Sequence, residues 1–255
     1  VTKGMQHKGT AKCGHMALPG RCRRGLPREE FETMTVEVGR QPSHQRTSLG
    51  IQVYLQSKIA SSEATVAEVC RLPEGVGWDS GVWQLEHLKQ VVLELSKLLV
   101  LLAPECTAEN CGQMKATHEW VFMCAAHRTA RECCAIDYII HNVEATTAVL
   151  NSRRWFPSRS SVPETAEKMF QSIARRLYRI FAHVYYHHRP TFDRFEASTH
   201  LYERFIFLVQ DHNWIPEKLC IIPHDVVNTP PRSPPLRSPV PPRSPPSRIT
   251  LDASS

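Results

Sequence analysis

The amino-acid sequence predicts a mostly α-helical protein, and three stretches carry that expectation. Leu85, Leu88, Val92, Leu95, Leu99 and Leu102 recur at three- and four-residue steps, which places one continuous apolar stripe along a helix. Ile173, Leu177, Ile180 and Val184 fall within a narrow arc of a second helical wheel, with Arg175, Arg176 and Arg179 on the opposite side. Leu201, Phe205, Leu208 and Val209 mark a further helix near 198–211.

In chain order, residues 1–28 carry seven Lys or Arg and no acid, and read as a basic disordered arm. From Glu29 the signal is patchy until Ile51, Val53, Tyr54, Leu55 and Ile59, which suit a short helix or strand. Leu72-Pro73-Glu74-Gly75 breaks the chain, and the Leu85–Leu102 helix then runs to Pro104. The segment Thr117–Ala126 is too apolar to be exposed, and periodicity does not choose between a buried strand and a helix start. Asp137–Leu150 reads as a helix. The loop after it, Arg153-Arg154-Trp155-Phe156-Pro157, holds two buried-looking aromatics. Pro163 and Glu164 suit the first turn of a long helix that reaches about His188. The expected organisation is therefore an arm at 1–28, one domain at 29–226 and a Pro/Ser/Arg-rich disordered tail at 227–255.

The formal charge of +6 resides in the two ends and leaves the middle net negative, so bulk basicity is a poor argument for a specific nucleic-acid partner. Nine cysteines, an odd number without regular spacing, argue for free thiols in a reducing compartment, the cytoplasm or nucleus. The most apolar run, Val91–Ala103, is interrupted by Glu94 and Lys97 and is too short to span a bilayer. Membrane association is expected to be peripheral at most.

The residues with chemistry are a split cysteine/histidine set. Cys106-x4-Cys111 follows the first long helix, and His183-x4-His188 ends the Arg-bearing one. Two thiolates and two imidazoles form the closed tetrahedral shell of a structural zinc ion. The distance between the pairs along the chain means that such an ion would clip remote parts of one fold, unlike a short DNA-binding finger. On a regular helix His183 and His187 lie about 40° apart and His183 and His188 about 140° apart. Geometry favours His187; Pro190 disfavours helix at Arg189 and could let His188 swing round, so the wheel leaves both open.

These residues sit among longer stretches that resemble the Mob/phocein family of zinc-containing adaptors, and within it the phocein-type branch. The matching segments are Asp79–Gln90, Glu105-Cys106 to Cys111, Thr117–His127, Ala135–Tyr138, Trp155-Phe156-Pro157-Ser158 and Arg175–His188. The resemblance implies a helical bundle around a zinc site in the H-x4-H register, which selects Cys106, Cys111, His183 and His188. It also implies a non-catalytic role. Phocein-type members join a striatin-centred assembly of protein phosphatase 2A and germinal-centre kinases, and are described at Golgi or endocytic membranes; Mob-type members activate NDR/LATS kinases. In the family, the positions of Arg175, Arg176 and Arg179 form a pocket for phosphorylated peptide segments, and that of Trp83 lies at a partner surface. Kinase-activating members carry acidic residues where this chain has Val82 and Gln90, so the opposite-sign contacts to a kinase would be lost. Cys133-Cys134 stands where phocein-type members usually have Cys-Pro, and is read as a changed turn.

The tail repeats Arg-Ser-Pro three times, and Ser233, Ser238 and Ser244 each precede proline, which suits proline-directed phosphorylation and groove-docking partners. Enzyme signatures are missing: no G-x4-G-K-[S/T], no G-x-S-x-G, no D-F-G, and His118-Glu119 is followed by Phe122 where a zinc protease would need a second His. A zinc hydrolase would also need an open coordination position, and four protein ligands leave none.

Overall fold

Helix α1 (Ser48–Ala60) forms where Ile51 and Leu55, one turn apart, can both be buried. Their side chains meet Val82 and Trp83 in a small cluster of their own. The computed structural model describes residues 47–117, 119–223 and 226, so the basic arm and the tail with Ser233, Ser238 and Ser244 lie outside the described residues. The short α2 (Val66–Cys70) starts on a capping box, with Thr65 Oγ1 accepting from the Glu68 N–H and the Glu68 carboxylate accepting from Thr65 N.

The long α3 (Ser80–Leu102) is capped by Asp79, whose carboxylate accepts from Val82 N at 2.9 Å. Its first turn touches the loop before α5: a Cβ on Gly81 would lie 2.6 Å from the Cβ of Val162, so only glycine permits the approach. The expected stripe is the packed face, with Leu85, Leu88, Val92, Leu95 and Leu102 buried and Leu99 half-buried. Glu86 ties α1 to α3. This buried carboxylate accepts from Ser48 Oγ (2.6 Å), Gln52 Nε2 (2.6 Å) and Lys89 Nζ (2.7 Å), three bonds that offset its burial.

α4 (Ala135–Leu150) packs on α3, and α5 (Glu167–His187), entered through a 3-10 turn at Glu164–Ala166, packs on both. Phe170, Ile173, Leu177, Phe181 and Val184 make α5 the centre of the core. α6 (Arg189–Thr199) and α7 (Leu201–Asp211) close the bundle. α7 is locked to α3 by the buried pair Arg204–Glu94 at 2.6 Å, and the same guanidinium nitrogen donates to the Thr199 carbonyl at 3.1 Å.

Four sequence expectations are corrected. The chain remains helical after His188, because Pro190 falls in the first turn of α6, where its missing N–H leaves no bond unmade; His188 itself takes the break, at φ −133° and ψ 47°. The helix expected near 198–211 is split by His200, at φ 49° in the left-handed region. Segment 117–126 is neither a strand nor a helix. Its neighbourhood holds two isolated antiparallel bridges, Lys115 with Val121 and Cys124 with Arg131, and Trp120, Val121 and Met123 are 44%, 39% and 47% exposed. Among its described residues, Phe122 and Cys124 turn towards the core. Of the aromatics after α4, Phe156 is buried, stacked on Phe170, whereas Trp155 is exposed beneath the Arg154 guanidinium.

Candidate metal centre

The connection from α3 to α4, 103–134, has almost no regular structure, yet it is buried at Cys106, Met114, Ala116, Cys124 and Cys133. A stretch of this length without helix or strand must be tied down by something other than a ladder. Cys106 and Cys111 face the end of α5: Cys106 Sγ lies 3.5 Å from His183 Nε2, and Cys111 Sγ lies 3.4 Å from His188 Nε2. The four donor atoms all fall within 4.8 Å of one another. Around a tetrahedral zinc ion with ordinary bond lengths, sulfur and nitrogen ligands stand about 3.5 Å apart. The donor set and its spacing therefore fit a metal ion.

The helix break decides which histidine joins His183. Had α5 continued, His188 would point away from the cysteines; its departure from helical backbone turns the ring back, and His187 remains on the exposed outer face. The His183 ring is oriented by a neighbour. Its Nδ1 lies 2.7 Å from the Lys115 carbonyl, which can only accept, so the proton sits on Nδ1 and the Nε2 lone pair faces the sulfurs. His188 Nδ1 faces the Glu105 carboxylate at 3.8 Å, and that carboxylate accepts from Thr191 Oγ1 at 2.8 Å.

Burial sets the protonation of these donors. Burial pushes the His183 pKa down to about 4, against the Lys115 carbonyl, and burial likewise lowers that of His188, against the Glu105 charge; both rings are neutral, as ligands must be. Burial first, and then the neighbouring Cys111, raises the Cys106 pKa. A buried thiol such as that of Cys106 becomes a thiolate only where a positive ion compensates it.

The basic face is less uniform than its sequence. Arg175 and Arg176 are exposed, but Arg179 is half-buried, donating to Tyr138 Oη at 2.9 Å with its guanidinium 4.8 Å from the Phe122 ring centroid. Arg175 and Arg179 line a groove of about 170 Å³ with Trp120, Phe122, Tyr178 and Ile215, and Arg176 is not among its lining residues. Trp83 is corrected outright. It is fully buried, its indole N–H donates to the Cys70 carbonyl at 3.0 Å, and it stacks on Trp78 and meets His87 edge-on; it shapes the surface from beneath and offers none of it. Val82 is buried beside it, while Gln90 is half-buried and donates to Glu94.

A second group, Cys124, His127, Cys133 and His141, also brings four donors within 4.8 Å. Sequence spacing does not announce it, and Cys133-Cys134 reads there as a changed turn. Its one legible signal was Cys124-x2-His127, a spacing short enough for two ligands of one ion.

Fold and site together define a helical-bundle protein whose long inter-helix loop is clamped to the bundle by cysteine and histidine. The model of the Mob1/phocein family matches residues 57–222. MOB kinase activator-like 4 of Drosophila melanogaster is 43% identical over 180 residues, covering 71% of this chain and 80% of that protein. MOB-like protein phocein of Caenorhabditis elegans is 44% identical over 177 residues, 69% of this chain and 78% of that protein. Maintenance of ploidy protein mob1 of Schizosaccharomyces pombe is 24% identical over 187 residues, 70% of this chain and 87% of that protein. The chain belongs to the Mob1/phocein family, a family of adaptors.

Proposed function

We propose that the chain is a phocein-like, non-catalytic adaptor in a striatin–protein phosphatase 2A–kinase assembly, with one structural zinc ion held by Cys106, Cys111, His183 and His188. The carrying observation is the fourfold Cys/His set, which closes the shell with protein ligands and joins the α3–α4 connection to the bend between α5 and α6. The 44% identity to a relative named phocein, against 24% for the mob1 relative, favours this branch. The buried Val82 and the amide of Gln90 support it too, since neither offers a charge to a kinase. Bound there, zinc would supply a structural cross-link between the α3–α4 connection and the end of α5.

Partners are a striatin-like scaffold, the phosphatase and germinal-centre kinases, met through protein surfaces in the cytoplasm or peripherally at Golgi or endocytic membranes. No helix among the described residues is long and apolar enough to cross a membrane. The groove of Arg175 and Arg179 takes a phosphorylated peptide segment, with Arg176 at its edge: guanidiniums pair with phosphate oxygens, and Trp120 supplies an exposed apolar wall. The test is affinity purification of the tagged chain from its own cells, followed by phosphothreonine-peptide binding. Striatin-like and phosphatase 2A subunits are expected to co-purify, and Arg175→Glu/Arg179→Glu to lose peptide affinity at least tenfold. Recovery of an NDR/LATS-type kinase alone would move the chain to the alternative role, coactivator of such kinases. Unchanged peptide affinity in the double variant would remove the groove from the reading.

A further inference from the structure

We infer that the chain carries a ligand for its own groove: the Arg-Ser-Pro tail, phosphorylated at Ser233, Ser238 or Ser244, seats between Arg175 and Arg179 and excludes the phosphopeptide of a partner. The inference rests on the reading of that groove as a phosphopeptide site. Among the described residues that line it are two arginines, the rings of Trp120, Phe122 and Tyr178, and no acid. Arg175 gives its Nε to Gln171 O at 3.2 Å, and Arg179 gives one terminal nitrogen to Tyr138 Oη at 2.9 Å. Both acceptors are neutral, so these bonds leave the positive charges standing, and each guanidinium keeps further N–H groups for an anion.

The described chain leaves the bundle at this place. Ile215, Leu219 and Ile221 line the groove, Ile222 N donates to the Tyr178 hydroxyl at 2.9 Å, and Val226, the last described residue, packs against the same core. Residues 227–255 therefore start near the groove. Ser233 follows Val226 by seven residues, a reach of up to about 25 Å, and Ser238 and Ser244 have longer tethers. Each is long enough to double back to the arginines.

Charge makes the contact conditional. Residues 227–255 carry four arginines against Asp252, so the unmodified tail has the sign of the groove and is repelled. A proline-directed kinase reverses that sign. The bond from the γ-phosphorus of ATP to its bridging oxygen breaks, a new P–O bond forms to the serine Oγ, ADP leaves with the bridging oxygen, and the hydroxyl proton passes to solvent. Each phosphate brings a charge of about −1.5 to −2 and three acceptor oxygens, so three of them make the tail net negative. The flanking residues fit as well. Each serine stands between Arg and Pro, and the residues two positions away are apolar in all three repeats: Pro231 and Pro235, Leu236 and Val240, Pro242 and Pro246. In an extended segment successive side chains point to opposite sides. A phosphoserine turned to the groove thus brings two apolar neighbours with it and sends the adjoining arginine to solvent. The groove offers the complement, arginines beside the exposed Trp120 ring.

The probe is a fluorescein-labelled peptide copying residues 229–248 with phosphoserine at 233, 238 and 244, and its affinity for the full chain is read by fluorescence polarisation. The unphosphorylated chain is expected to bind it, and Arg175→Glu/Arg179→Glu to lose at least tenfold. After treatment with a proline-directed kinase and ATP, the chain should bind it about tenfold more weakly: a tethered ligand acts at an effective concentration on the order of 1 mM, enough for such competition from an intrinsic Kd of about 100 µM. Ser233→Ala/Ser238→Ala/Ser244→Ala, treated in the same way, should keep full affinity. Unchanged affinity in a wild-type chain whose phosphates are confirmed by mass spectrometry would overturn the inference, and so would a phosphorylated chain that elutes as a dimer, its tail engaged in a second copy. A phosphothreonine peptide of unrelated sequence separates the two readings. If it binds the unphosphorylated chain and the tail probe does not, the inference falls and the groove reading stands; if neither binds, both fall. The three serines follow the last core residue, so their substitution leaves the bundle as it is and the comparison does not hang on a variant's folding.

Discussion

Replacing Arg204 by methionine should destabilise the domain by about 3–5 kcal/mol. The magnitude follows from what is left behind. Arg204 and Glu94 are each 4% exposed, and their contact at 2.6 Å is the main compensation for taking a carboxylate out of water. Methionine keeps the volume and removes the charge. Glu94 would retain only the Gln90 amide, at 2.8 Å on its other oxygen, and the Thr199 carbonyl at the α6–α7 break would lose its donor. Both deficits fall at one point, so the cost is that of an orphaned buried charge and not that of a surface ion pair, about 0–1 kcal/mol. The assay is urea unfolding of the zinc-saturated chain followed by circular dichroism, with Arg204→Met, Glu94→Gln and the double variant forming a cycle. The double variant should recover most of the loss, because the uncompensated charge is gone. A loss below about 1 kcal/mol in Arg204→Met, or a double variant as unstable as the sum of the singles, would refute the reasoning.

Two further predictions concern histidine and the metal. Burial holds the His87 pKa down to about 3, with Arg204 and His212 adding to the effect; the unfolded chain takes up that proton near pH 6.5, so stability is full above 6.5 and falls as pH drops towards 3, by up to about 1.4 kcal/mol per pH unit. His87→Phe, which keeps a ring against Trp83 and removes the unpartnered Nε2, should flatten the difference between urea midpoints at pH 7 and pH 5; an unchanged difference refutes it. Glu105→Gln keeps the hydrogen bond with Thr191 and removes the carboxylate facing His188, and should lower zinc affinity at the first site by about 10-fold, read by competition with a chromophoric chelator.

The bundle was legible because its helices are amphipathic over several turns: the stripe of α3 and the arc of α5 report burial directly. What failed had local chemistry opposed to tertiary geometry. Pro190 looks like a stop but is a good first-turn residue, and His200 breaks a helix without glycine. Val121 and Met123 are apolar yet exposed, because the turn that places Phe122 and Cys124 inward must place the residues between them outward, and Trp120 is exposed beside them. The first Cys/His set could be proposed from its pairs, but the choice of His188 over His187 required a bend no wheel describes. The second set was hidden by irregular spacing: its ligands come from a turn and a helix, and no period connects them.

His188 is both where α5 ends and where the metal set finds its fourth donor. The angle between α5 and α6 and the coordination geometry are thus one mechanical variable. Pro190 suits the start of a helix and not its interior, so the chain bends at His188, and α6 passes that bend to α7 through the Thr199–Arg204 contact. An ion held there would therefore do more than fasten a loop: it would brace a joint whose far side reaches the point where Arg204 grips Glu94.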